Sequence, residues 1–496
     1  MTKVLLISPQ FKLPNPAGNQ EPPLGLLYLG TVLSKNGFQV KILDASNRKP
    51  IKTSDGNYFY GMDNKEVEQY INEYNPDIVG LGCLYSTKWP FLIKIAELVK
   101  KTLNQCFVVA GGIYPSMSPK ESISSSKSID FCMMGESEYT FLELCKLLGS
   151  CKNGEIEKNS YEQIKKIDGI VYRENDAIFF NPKQQYIENL DELPFPDYDL
   201  IESGISQYDC DQPIFRLGNK YLSILSSRSC PLKCSYCNMR LTHGDTFRYR
   251  SPENIIQELT YIREKWDIKS FQFADDNVSL KKSRFKLILQ KMIELKSNFR
   301  WGSTNGMMIN TLDEEVIKLM RESGCVRVAL GIESGDPDIR KNVVGKPIKD
   351  EKIKKVVGAL KKQGIFVSAF FILGFLEDND ATFKKTRELI FALNLNWVGI
   401  FALQVYPGTA IYKKFDDKGL INNTSNLTDN KMEMLSPTFE LYDGYFSQIR
   451  KWHKLLYLTF FLSLLKHPVD IIRYRDVYLN PTYIKSFFLT FILRRK

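Results

Sequence analysis

Short apolar runs alternate with amphipathic stretches along most of this chain, and the alternation starts twice. In residues 1–150 the runs Val4–Ser8, Val40–Asp44, Ile78–Gly82, Phe107–Ala110 and Asp130–Met134 have strand length. Between them, Leu24–Asn36, Asp63–Tyr74, Pro90–Leu103 and Glu138–Leu148 repeat apolar positions at helical spacing. Strands separated by helices of this length need crossover connections, which predicts a parallel sheet with both faces covered. Residues 151–215 are rich in Lys, Glu and Asn and read as a connecting segment with one hairpin, Gly169–Tyr172 and Ala177–Asn181. From 216 to 425 the alternation resumes. Strands are expected at Tyr221–Leu225, Ser270–Ala274, Phe299–Ser303, Val326–Gly331, Val367–Gly374 and Trp397–Val405. The helices between them are expected at Pro252–Lys265, Lys281–Leu295, Asp313–Ser323, Lys349–Gln363 and Ala381–Leu393. Such a series predicts a parallel barrel or part-barrel whose site lies at the C-terminal ends of its strands. Residues 426–496 read as a basic, aromatic-rich helical region.

Composition narrows the class. The chain has 496 residues, 43% hydrophobic and 25% charged, the balance of a packed globular protein. No apolar run reaches the roughly 18 residues of a spanning helix, and the start reads as a first strand rather than a signal peptide. A cytoplasmic protein with reduced thiols is therefore expected, and its ten cysteines are free for metal chemistry. The net charge of +10 is unevenly placed. Residues 445–496 hold ten Lys/Arg against Asp470 and Asp476, a net +8, which leaves only +2 for the preceding 444 residues. Nearly neutral domains argue against a nucleic-acid binder, whose basic surface would extend over its folded body.

The strongest chemical signal follows the first strand of the second series: Ser229-Cys230-Pro-Leu-Lys-Cys234-Ser-Tyr-Cys237. Three thiols within eight residues, in a loop at a strand end, suit an iron–sulfur cluster. With three ligands, a four-iron cluster keeps one iron open. A structural zinc site would want a second ligand pair, which does not follow.

The CxxxCxxC spacing, with Tyr236 before the last cysteine, closely resembles the radical S-adenosylmethionine (SAM) enzymes. The resemblance covers residues 216–425 and implies a 4Fe-4S cluster on Cys230, Cys234 and Cys237. It further implies SAM bound at the open iron and cleaved reductively to a 5′-deoxyadenosyl radical, which abstracts hydrogen from substrate. Phe271-Gln-Phe-Ala-Asp-Asp-Asn277 ends the second strand, where the family's methionine-amine motif lies. Gly331-Ile-Glu-Ser-Gly335 ends the fourth, near the SAM ribose, and Phe371-Ile-Leu-Gly374 ends the fifth, near adenine. Asp275, Asp276, Glu333, Ser334 and Gly374 are the SAM candidates. The carboxylates can accept from an ammonium or from hydroxyls, and a glycine lets a ring approach the backbone. Where relatives read Gly-Phe-Pro-Gly-Glu, this chain reads Gly374-Phe-Leu-Glu-Asp378, so no role is carried over to Glu377.

The first domain resembles the cobalamin-binding type that precedes one radical SAM subclass. Pro23-Leu-Gly-Leu-Leu-Tyr-Leu-Gly, Ile78-Val-Gly-Leu-Gly82, Ala110-Gly-Gly112 and Gly135-Glu-Ser-Glu138 carry that likeness. It implies cobalamin contacts at Ser86, Thr87, Gly111, Gly112, Gly135 and Glu136. By pattern alone, Gly111-Gly112 reads equally as a plain turn. The Asp-x-His-x-x-Gly loop of other cobalamin domains is absent, and no histidine precedes His243, so a histidine-off cobalamin is expected. The expected fold is α/β: a Rossmann-like domain (1–150), a connector (151–215), a partial (βα)6 TIM-like radical SAM barrel (216–425) and a helical C-terminal region (426–496).

The implied reaction is methyl transfer to an unactivated carbon or a phosphorus centre, with an external electron donor such as flavodoxin or ferredoxin. Two alternatives stand beside it. One is a cobalamin-free radical SAM enzyme that couples, cyclises or oxidises a lipid-like or other metabolite. The other, more distant, is a tRNA-modifying protein. In the tail, Leu455–Leu465 and Ile484–Leu493 are apolar, about ten residues each, and flanked by Lys and Arg. They suit either a helical subdomain over the substrate cavity or helices lying at an anionic membrane surface at the inner face.

Overall fold

The computed structural model describes residues 1–13, 21–151, 155–208, 213–218, 220–421, 444–481 and 484. It divides into two compact units. The first holds the residues up to 208 together with Asn238–Gly244, and the second holds the remaining described residues.

The first unit is built on a seven-stranded sheet: β1 (Lys3–Ser8), β2 (Gln39–Asp44), β3 (Ile78–Cys83), β4 (Phe107–Gly112), β5 (Phe131–Met133), β6 (Ile170–Glu174) and β7 (Ala177–Phe180). The spatial order is β7-β6-β5-β4-β3-β1-β2. The first five strands pair in parallel, and the last two add an antiparallel edge. Its core is β-branched and aliphatic: Val4, Leu5, Leu6, Ile7, Val79 and Val108 are all buried. They are apolar at consecutive positions because helices cover both faces. Helix Asn64–Tyr74 starts at a capping box in which Asp63 and Glu66 satisfy each other's backbone amides. The strand order reverses between β1 and β3, so the crevice at their C-terminal ends is where an open α/β sheet takes a ligand. The segment read as a connector is in part structural, since 170–180 supplies β6 and β7.

The second unit carries six parallel strands in simple sequence order: β8 (Leu222–Ile224), β9 (Ser270–Phe273), β10 (Arg300–Met307), β11 (Cys325–Glu333), β12 (Phe366–Leu373) and β13 (Trp397–Ala402). Consecutive order with a helix after each of β9–β12 is the open part-barrel expected from the pattern. Helix Tyr445–Leu465 packs on helix Asp380–Leu393 and on β13. Its buried side is Tyr445, Ile449, Trp452, Leu456, Phe460 and Leu464. Leu455–Leu465 is thus largely a packed helix face, while nearly all of Ile484–Leu493 lies outside the described residues. No helix among the described residues is long and apolar enough to cross a membrane.

Candidate functional site

In the second unit, β8 is followed by the short separate strand Ser227–Arg228, and the chain then enters the cysteine loop through Ser229 at φ 69°. A left-handed, fully buried serine is a costly conformation, held here by its surroundings. Cys230, Cys234 and Cys237 are half-buried, whereas Cys83, Cys106, Cys132, Cys145 and Cys325 are buried. The trio alone thus combines partial exposure with a shared loop. Among the described residues, no three Cys, His, Asp or Glu side chains converge as ligands of one ion. A cluster takes one thiolate per iron and asks for spaced thiols. The donor set fits a cluster with three cysteine ligands.

Burial holds the Cys234 thiol up, at about 11, against the pull of Lys346. Burial likewise raises Cys230, where the Asn277 carboxamide hydrogen-bonds the sulfur and favours the thiolate. Asn277 is itself buried, and its Oδ1 accepts from Ser279 Oγ at 3.2 Å. The sequence had marked its neighbours, Asp275 and Asp276, instead.

Those two aspartates separate. Asp275 is buried and works inside the protein. Its Oδ1 accepts from the hydroxyls of Ser226 (2.6 Å) and Ser227, and its Oδ2 from the Ser226 amide at 3.1 Å. Arg284 adds charge nearby and donates to Ser226 O at 2.7 Å. Asp275 therefore ties the start of the cysteine loop to β9 rather than offering a carboxylate to a ligand. Asp276 is half-exposed, and its charge acts on the Cys230 thiol. Ser334 is likewise engaged within the protein: it is buried, its Oγ accepts from Asp336 N at 3.1 Å, and its carbonyl accepts from Arg340 at 2.8 Å.

Glu333 does face this chemistry. It sits at φ 69° beside a register shift in the β11–β12 pairing, a bulge that re-aims its side chain. Its Oε1 accepts from Lys346 Nζ at 2.7 Å, and Tyr236 hydrogen-bonds the same carboxylate. Burial and that negative charge hold the Tyr236 phenol well above its ordinary range. Gly331 leaves the space for this ion pair: a methyl there would lie 2.7 Å from Glu333 Oε1 and 2.8 Å from Lys346 Nζ.

Gly374 has a reason of its own. At φ 108° it favours glycine, and a methyl would lie 2.4 Å from the Tyr445 hydroxyl, which donates to Gly374 O at 2.9 Å. The departure from the family pattern is filled by Asp378. Its Oδ2 accepts from the amides of Gly374 (2.9 Å) and Phe375 (3.0 Å), and its Oδ1 from Thr382 Oγ1 at 3.0 Å. Burial nevertheless raises its carboxyl to about 6.

In the first unit, the cobalamin candidates lie at the C-terminal ends of β3, β4 and β5. Ser86 is buried and Thr87 half-buried on the turn after β3. Gly112, at φ 112°, would place a methyl 2.4 Å from Cys83 O, so the close approach it permits is to its own neighbouring strand. Ser116 links two of the loops, donating to Gly112 O and accepting from Gly135 N, both at 2.8 Å. Glu136 is buried and accepts from Ile187 N at 3.0 Å, a bond within the protein. Gly111 is half-buried with no close neighbour. Sequence reasoning missed Lys88, whose buried Nζ lies 3.3 Å from Ser8 Oγ and 5.1 Å over the Phe11 ring, at the switch point. Helix Met239–His243 belongs to this unit, and Asn238 Nδ2 lies 3.0 Å from Met117 Sδ. A unit that looks free of histidine in residues 1–150 thus includes His243.

Residues 224–390 match the model of the radical SAM superfamily, and residues 15–145 match that of the B12 binding domain. The chain carries a B12-binding domain followed by a radical SAM domain. It is 29% identical over 464 residues to an uncharacterized methyltransferase of Pyrococcus horikoshii, covering 93% of this chain and 92% of that one. It is 24% identical to an anaerobic magnesium-protoporphyrin IX monomethyl ester cyclase of Synechocystis, over 88% of this chain and 82% of that one. The fold matches the radical SAM methyltransferase TsrM from Kitasatospora setae, solved with cobalamin and a 4Fe-4S cluster. The TM-score is 0.65 at 18% identity, covering 84% of this chain and 78% of that one. The expected cofactors, a 4Fe-4S cluster, SAM and cobalamin, accord with these two domains.

Proposed function

We propose that this protein is a cobalamin-dependent radical SAM methyltransferase that acts on an unactivated carbon or a phosphorus centre of a small molecule. The observation that carries the reading is the pairing of two things in one chain. A half-buried cysteine trio lies beside Glu333, Asp276 and Lys346 at the ends of parallel strands, and a B12-binding domain precedes it. When bound, the cofactors supply a 5′-deoxyadenosyl radical and a transferable methyl group. The chain's part is to hold them. Cys230, Cys234 and Cys237 ligate the cluster, Asp276 and Glu333 receive the polar groups of SAM, and the loop at Gly374, pinned by Asp378 and Tyr445, shapes the adenine side. Loops Ser86–Thr87, Gly111–Gly112 and Gly135 form the cobalamin side of the first unit. A low-potential flavodoxin or ferredoxin is the electron donor.

The test is anaerobic reconstitution followed by assay with methyl-deuterated SAM. Wild type should hold cobalamin and produce 5′-deoxyadenosine, and Cys234→Ala should lose cluster absorbance and 5′-deoxyadenosine together. Protein purified without any capacity for cobalamin, yet cleaving SAM, would favour the second reading, ring formation or oxidation. The similarity to a cyclase supports that alternative.

The tail supports a further part of the reading, contact with an anionic lipid surface. Leu458, Leu462, Leu465, Val469 and Ile472 are exposed at three- and four-residue spacing. Asp470 is paired with Lys361 (2.7 Å) and Asp476 with Arg216, which leaves an outward surface of apolar and basic residues. Sedimentation with phosphatidylglycerol vesicles but not phosphatidylcholine vesicles, lost in Leu462→Glu, is the expected result.

A further inference from the structure

The segment after β11 is shaped to deliver one cation to the cysteine loop. Ile339–Val344 forms a π-helical turn held by Arg340, whose guanidinium is fully buried and pairs with Asp350. The turn ends at Gly345, φ 83°. There the chain lies directly on the cluster loop: Ser235 N donates to Val344 O at 3.0 Å. A methyl on Gly345 would lie 3.3 Å from Lys233 O and 4.0 Å from Cys234 Cα. The next residue is Lys346. Its side chain is 14% exposed, and its Nζ donates to Glu333 Oε1 at 2.7 Å and Gly331 O at 3.3 Å. An ammonium with a four-carbon stem normally reaches water; this one is folded inward and fixed.

We propose that Lys346 is a positioning residue that sets the reduction potential of the cluster held by Cys230, Cys234 and Cys237, with Glu333 as the opposing charge that moderates it. The inference rests on the cluster reading above. The chemistry is a one-electron reduction: an external low-potential donor loses one electron, the cluster gains it, and no bond or proton moves. Each reduction adds one negative charge beside a fixed cation in a poorly solvated pocket, so the cation favours the reduced state.

The experiment is an EPR-monitored potentiometric titration of anaerobically reconstituted, SAM-free protein, with iron and sulfide content measured on each sample. Lys346→Met keeps the length of the side chain and removes the charge. It should lower the midpoint by about 59 mV, tenfold in the one-electron equilibrium. Lys346→Arg should restore most of the shift. Glu333→Gln, which removes the opposing charge, should move the midpoint upward. The opposite signs keep the test decisive if one variant fails to fold. A fully loaded Lys346→Met with the wild-type midpoint overturns the proposal, as does a downward shift in Glu333→Gln. Wild type that takes up no iron at all overturns the cluster reading, and this inference with it.

Discussion

Asp378 offers a quantitative test of how the loop after β12 is held. Its carboxylate accepts three hydrogen bonds, yet burial outweighs them and raises the group from 3.8 to about 6. An acid raised on folding stabilises the fold fully below its unfolded value, near 4, and loses that contribution as pH rises through 6. The interval corresponds to about 3 kcal/mol, present in acid and absent at pH 8. Asp378→Asn removes the charge and keeps the architecture. The amide oxygen can accept from both Gly374 N and Phe375 N, and the amide nitrogen can donate to Thr382 Oγ1, which already donates to Asn379 O at 2.9 Å. The variant should therefore be the more stable protein at pH 8, by up to about 3 kcal/mol. That is roughly 6–12 °C in the melting temperature of a unit this size. At pH 5 the gap should fall to roughly half, because the folded wild type has regained its proton while the unfolded chain has not. Paired thermal melts of the full chain at pH 5, 6, 7 and 8 measure it. A gap that is the same at every pH, or an asparagine variant that melts lower at pH 8, would refute the reasoning.

Three further outcomes follow from the same contacts. Gly331→Ala puts a methyl against both Glu333 and Lys346, so SAM affinity should fall at least about tenfold by equilibrium binding, with little change in melting because flexible side-chain ends can move aside. Gly112→Ala meets backbone, 2.4 Å from Cys83 O, at φ 112°. It should cost the first unit more than about 1–3 kcal/mol in melts and reduce cobalamin uptake measured by absorbance. Tyr445→Phe loses the hydroxyl bond to Gly374 O and should lower stability by about 1 kcal/mol in urea titrations.

Much of this architecture is legible in sequence because it is local. Every expected strand in residues 1–134 and 216–405 has a counterpart in the structure, since a buried parallel strand is a short apolar run and an amphipathic helix repeats every three to four residues. The cysteine trio is equally local: its three thiols lie within eight residues of one loop. The hairpin at 170–180 was visible as a hairpin, but its place at the edge of the first sheet was not, because strand pairing across a domain leaves no periodic trace.

The identity and spacing of residues by themselves determined the order of elements, the parallel strand series of each sheet and the three-thiol loop of the second. Only the tertiary structure decided which polar residues near those thiols are available. Asp275 and Asp276 are adjacent and chemically identical, but in the loop after β9 one turns inward to Ser226 and Ser227 and the other is left half-exposed. Lys346 meets Glu333 from 13 residues away through a turn, and Tyr445 meets Gly374 from 71 residues away across a helix packing. His243 follows the cysteine loop in sequence and belongs with the first unit in space. Burial and charge pairing are sums over neighbours from many segments, so they come into being only when the chain has folded, and they sort functional carboxylates and cations from structural ones.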